Sequence, residues 1–132
     1  MRNKCGNREF TTPDGIKHAS KREAFRWLEL RMLEKEGKIK GLRRQVTYEL
    51  MPAQVEHFPR YGAKGQRLKD GVRVIERGVN YIADFVYEDS HTGETVVEDA
   101  KGFRDPSSAV YAKYVIKRKM MLWIHGIRVR EV

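Results

Sequence analysis

The chain has 132 residues, about the length of one domain, and its 27 Lys and Arg against 18 Asp and Glu leave a net charge of +9. That excess points to an anionic polymer or an acidic surface as partner. The single cysteine, Cys5, excludes an internal disulfide, no apolar run approaches the roughly 18 residues of a membrane span, and "MRNKCGNREF" lacks the apolar core of a signal peptide, so a soluble cytoplasmic chain with no membrane partner is expected.

Residues 1–17 show no sustained period and contain the turn sequence "TTPDG", which predicts a basic N-terminal arm ahead of a domain over 18–132. Ser20 and Glu23 match a capping box at the head of "SKREAFRWLELRMLEKEG". Ala24, Leu28 and Met32 follow as an i, i+4, i+8 stripe, Trp27, Leu30 and Leu33 widen the apolar surface, and Gly37 supplies the stop. "QVTYELMP" alternates Val46, Tyr48 and Leu50 with polar residues and predicts a first strand, from Gln45 to Pro52.

Residues 53–78 hold Gly62, Gly65, Gly71 and Gly78 together with Arg60, Lys64, Arg67, Lys69, Arg73 and Arg77. So charged a stretch is unsuited to a core, and an exposed loop or ragged hairpin within reach of a nucleic-acid backbone is expected. "YIADFVYE" and "ETVVEDAK", joined across "DSHTG", read as a hairpin. Asp105 and Pro106 fit the N-cap and first position of a long helix ending at Gly126, and "IRVREV" closes the chain as a short strand. The order helix, three strands, helix, strand predicts an α/β or α+β domain with a mixed sheet flanked by helices.

The hairpin carries the chemistry. Fourteen residues separate Asp84 from Asp99, a spacing used up by two short strands and a turn, so acids from both strands lie side by side. Alternation puts Asp99 and Lys101 on one face and Glu98 on the other, while loop length decides whether Asp84 faces Asp99 or Glu98. Adjacent carboxylates on a half-buried sheet need a compensating cation, and Mg²⁺ is typically held by one or two carboxylates together with phosphate oxygens. A lysine beside them can stabilise charge on a phosphoryl oxygen or help an attacking water. The simpler alternative is that these acids only form surface ion pairs, and that Glu23 only caps its helix. His18, His57, His91 and His125 lack paired ligand spacing, and no glycine loop ends in GK[ST].

With these residues in place, the chain resembles the PD-(D/E)xK phosphodiesterase superfamily, whose restriction-endonuclease-like core runs helix, three strands, helix, strand. "DGIKHASKREAFRWLELRMLEKEGKIKGLRRQVTYEL", "YIADFVY", "VEDAKG" and "KRKMMLWIHGIRVREV" look more narrowly like small phage and prophage endonuclease-like proteins related to phage Holliday junction resolvases. The resemblance implies a site of Glu23, Asp84, Asp99 and Lys101, with Mg²⁺ (Mn²⁺ substituting) on Asp84, Asp99 and Glu23. Ala83 stands where the superfamily's namesake proline is found. Glu98 is an accessory candidate should the register differ, and so are Gln45, at the head of the first strand, and Lys117, on a helix expected near the metal.

The implied function is metal-dependent hydrolysis of branched DNA by a homodimer in the cytoplasm, that of the host cell if the protein is phage-encoded. Arg60, Lys64, Arg67, Lys113, Lys117 and Lys119 would contact the DNA backbone. The rival expectations are a nicking or restriction-type enzyme acting on linear duplex, and a non-catalytic basic DNA-binding or packaging protein.

Overall fold

The computed structural model describes residues 8–101 and 105–132, so Cys5 and Gly102 lie outside the described residues. In chain order the elements are β1 (Phe10–Thr11), β2 (Lys17–His18), α1 (Lys21–Lys35), β3 (Ile39–Met51), β4 (Gln54–Tyr61), β5 (Arg67–Glu76), β6 (Val79–Asp89), β7 (Thr95–Asp99), α2 (Ala109–His125) and β8 (Arg130–Glu131). The central sheet runs β3-β6-β7-β8, antiparallel except for the parallel pairing of β7 with β8. This is the expected α+β arrangement of a mixed sheet with two helices.

Two clusters divide the core. Trp27 and Leu30 of α1 pack with Ile39, Phe85, Tyr87 and Val96. Tyr114 and Met121 of α2 pack with Leu50, Tyr81, Ala83, Val86, Val97 and Val129. The neighbours Phe85 and Val86, and likewise Val96 and Val97, fall in different clusters, so the helices cover opposite faces of the sheet. Full burial of a side chain such as Leu30 or Met121 contributes about 1.5–3 kcal/mol.

Several expectations change. Residues 8–17 are not a free arm: β1 and β2 form a small antiparallel ribbon against the start of α1. On α1 the buried face is Glu23, Ala24, Trp27 and Leu30, while Leu28 and Met32 of the expected stripe are exposed. The helix turns its bulkiest apolar residue, Trp27, inward to stack on Phe85 at 6.1 Å, and that sets the face. The first strand starts at Ile39 rather than Gln45. Ser108, not Asp105, caps α2 by accepting from the Tyr111 N–H, whereas Asp105 accepts from Ser107 and closes a turn ahead of the helix.

Of the two expectations for residues 53–78, the hairpin holds and the loop does not. Among the described residues β4 and β5 pair only with each other, with register irregularities between Gln54 and Val55 and between Phe58 and Arg60. The hairpin continues the β3–β6 pair beyond the core: Met51 pairs with Val79, and after a short neck Gln54 pairs with Glu76. At that neck a Cβ on Gly78 would meet the Met51 carbonyl oxygen at 2.8 Å, so the close strand approach requires glycine.

Candidate metal and catalytic site

The β6–β7 register settles the parity left open by the sequence. Phe85 pairs with Glu98 and Val86 with Val97, so the next step of the ladder sets Asp84 against Asp99. The Ala100 N–H donates to Asp84 Oδ2 at 2.8 Å, and the Tyr81 hydroxyl donates to Asp99 Oδ2 at 2.6 Å. Each aspartate is thus anchored through Oδ2 and turns Oδ1 toward a nitrogen. Gln45 Nε2 lies 3.3 Å from Asp84 Oδ1, and Lys101 Nζ lies 2.8 Å from Asp99 Oδ1. The Lys101 ammonium is also held 4.0 Å from the centre of the Tyr114 ring.

Glu23 joins this group from α1. Its backbone N–H donates to Ser20 Oγ at 3.1 Å, which completes half of the capping box, and its carboxylate is buried. The carboxylate accepts from the Ala19 N–H and, at 3.2 Å, from the same Gln45 Nε2 that reaches Asp84. Arg44 and His18 flank it, each with a nitrogen 3.8 Å from Oε1.

Gln45 holds this bridging place at a backbone cost. Its φ of +52° is the only left-handed value at a non-glycine residue among those described, which costs on the order of 1–2 kcal/mol. Gln45 and Asp84 face each other without forming a ladder pair, although the register is the same on either side: Arg44 pairs with Phe85 and Val46 with Ala83. Core membership changes parity there on both strands. Leu42 and Phe85 lie with the α1 cluster, whereas Val46 and Ala83 lie with the α2 cluster. Both polar side chains therefore lie where the faces change over, and Asp84 sits beside the end of β7.

Burial and mutual repulsion set the electrostatics. Asp84 is held well above the ordinary carboxylate range, first by burial, then by the charges of Asp99 and Glu23. Glu23 is raised mainly by burial, against the opposing pull of Arg44. His18 is lowered by burial and by Arg44. Three acids with too little compensating charge form a set that a hard cation would relieve.

As the side chains stand, no three His, Cys, Asp or Glu residues among those described converge as ion ligands. The nitrogens of Gln45 and Lys101 lie against the oxygens that an ion would use. The donor chemistry nevertheless fits Mg²⁺: all-oxygen, with both aspartates pre-oriented through their other oxygen.

Glu98 has a different task. It points to the α1 face, almost fully buried, where Arg26 donates from Nε and Nη2 at 2.8 and 2.7 Å and the Tyr87 hydroxyl donates to Oε2. All of this removes it as a substitute for Asp99. On α2, Lys117 is lowered by burial and by the charge of Lys113, which places the two lysines on one face. In the β4–β5 hairpin, Arg60 and Lys64 are exposed, and Arg67 is paired with Asp70 at 2.6 Å.

Sequence reasoning passed over Tyr81, His18 and Arg44. The apolar alternation that buries Tyr81 gave no sign of its hydroxyl partner, and His18 was weighed only as a metal ligand. No helix is long and apolar enough to cross a membrane among the described residues. Searches of curated proteins and of solved structures found no match. One family model, described as protein of unknown function (DUF1064), matches residues 2–128, so the chain belongs to the DUF1064 family.

Proposed function

We propose that this chain is a divalent-metal-dependent DNA endonuclease that hydrolyses phosphodiester bonds, with branched DNA of the Holliday-junction type as its substrate. The observation that carries the reading is the pair Asp84 and Asp99, set side by side with Glu23 near them and Lys101 on the second aspartate. Set apart from the β4–β5 hairpin, the order α1, β3, β6, β7, α2, β8 agrees with the restriction-endonuclease-like core of the PD-(D/E)xK superfamily.

Asp84, Asp99 and Glu23 would hold Mg²⁺, with Mn²⁺ able to substitute, once Gln45 and Lys101 give up the oxygens they now contact. When bound, the ion supplies Lewis-acid polarisation of the phosphodiester. Lys101, held between Asp99 and the Tyr114 ring, offers its ammonium protons to a phosphoryl oxygen that gains charge as water adds to phosphorus and the ester P–O bond breaks. Gln45 holds Glu23 and Asp84 together until the ion takes its place.

Arg60, Lys64 and Arg67 of the hairpin, and Lys113, Lys117 and Lys119 of α2, supply contacts to the DNA backbone. Cutting two opposed strands calls for two sites, hence a homodimer.

The test is an immobile four-way junction and a linear duplex of the same arms, each incubated with Mg²⁺, with Ca²⁺ and with EDTA. Products from the junction in Mg²⁺ alone support the reading. Equal cutting of both substrates moves it to a linear-duplex nuclease, and binding without cleavage under all conditions overturns the enzymatic claim.

A further inference from the structure

The β4–β5 hairpin stands away from the core with two chemically distinct zones. Near the neck, Val55 pairs with Val74 and His57 with Val72, which places these residues on one exposed face. Toward the tip, the span from Arg60 to Asp70 holds Arg60, Lys64, Arg67 and Lys69 against one acid, Asp70. Asp70 is engaged by Arg67, and Glu56 nearer the neck by Arg73. Arg60, Lys64 and Lys69 therefore have no ion-pair partner among the described residues.

A ring on one strand packs across the other. Phe58 lies against Gly71, where a Cβ would meet its ring at 2.2 Å, and Arg73 covers the same ring at 5.0 Å. At about 3.3 Å per residue, the eight residues of β4 carry the tip on the order of 26 Å from the neck. A ribbon of two strands about 4.8 Å apart is of a size that the major groove of B-DNA, roughly 12 Å wide, admits.

We propose that the β4–β5 hairpin is a ribbon that enters the major groove of duplex DNA, with Arg60, Lys64 and Lys69 at its tip on the flanking phosphates. The inference rests on the nucleic-acid reading above and adds an element that binds without taking part in hydrolysis. The charge favours DNA over a second copy of this chain, since two such tips brought together would repel.

The test compares the parent with the triple variant Arg60→Gln, Lys64→Gln, Lys69→Gln, whose exposed positions leave folding intact. Binding to a linear duplex in Ca²⁺ is measured by fluorescence anisotropy between about 50 and 200 mM salt, a range in which such slopes are resolved. Loss of three phosphate contacts lowers the slope of log K against log salt by about 2.7, so the parent loses about 40-fold more affinity than the variant across that range.

Dimethyl sulfate footprinting should show guanine N7 protected by the parent and unprotected by the variant. Equal slopes, or protection confined to the minor groove, overturn the proposal. A changed oligomeric state with an unchanged slope overturns it too and gives the hairpin to a second copy. If the parent itself fails to bind duplex and junction alike, the nucleic-acid reading falls with it. A parent that binds with a slope the variant shares removes only the groove-entering ribbon.

Discussion

Asp84→Asn separates charge from shape. The asparagine carbonyl can still accept from the Ala100 N–H, while the site loses a group that can ionise beside Asp99 and Glu23. Asp84 has its folded pKa raised above the unfolded value of about 3.9, so the folded chain retains a proton that the unfolded chain has released. That contribution to stability is complete below the unfolded pKa and is lost as pH rises toward the raised value.

One extra proton in the folded state costs about 1.4 kcal/mol per pH unit in that window, or about 2.7 kcal/mol from pH 5 to pH 7. For a domain of this length that is on the order of 10 °C in Tm. Thermal unfolding followed by circular dichroism in EDTA should therefore show the parent losing about 10 °C more than Asp84→Asn between pH 5 and pH 7. Asp14 and Asp89 are lowered by hydrogen bonds and act in the opposite direction, but both proteins share them and they cancel in the comparison. Parallel Tm–pH curves for parent and variant would refute the claim that burial, reinforced by the neighbouring acids, holds the proton on Asp84.

Three further outcomes are expected. Asp99→Asn and Lys101→Ala each reduce junction cleavage by at least about 100-fold, while affinity measured in Ca²⁺ stays within about twofold of the parent. Arg26→Ala leaves Glu98 buried beside Tyr87 without its cation, and urea unfolding should report a loss of about 3 kcal/mol. Gln45→Gly relieves the left-handed strain but removes the amide between Glu23 and Asp84, so stability stays within about 1 kcal/mol of the parent while cleavage falls at least about tenfold.

Local chemistry was legible from the sequence wherever it stayed local. The Ser20 cap, the Gly37 stop and the shared face of Asp99 and Lys101 all depend on neighbours within a few residues. Contacts set by the tertiary fold were not. Arg26 and Glu98 are 72 residues apart, and nothing near either names the other. Gln45 reads as an ordinary strand residue, because its positive φ is imposed by packing that reverses faces on two strands at once.

The hairpin parity depended on a turn whose length the acids themselves do not reveal. Strand structure in 53–78 had a signal that the charges obscured: Val55 and His57 alternate on one strand, and Val72 and Val74 on the other. Asp105 drew the cap assignment because Pro106 follows it, although Ser108 offers the same hydroxyl chemistry at the true helix start.

Val132 ties down the strand end on which the acids sit. Its N–H donates to the Asp99 carbonyl, and its own carbonyl oxygen accepts from the Lys101 N–H and, at 2.9 Å, from Arg22 Nε on the first helix. Loss of Val132 would untie Asp99 and Lys101 from their backbone partner and release Arg22 in a single step, so one residue far from the acids in sequence holds both the strand end and the helix beside it.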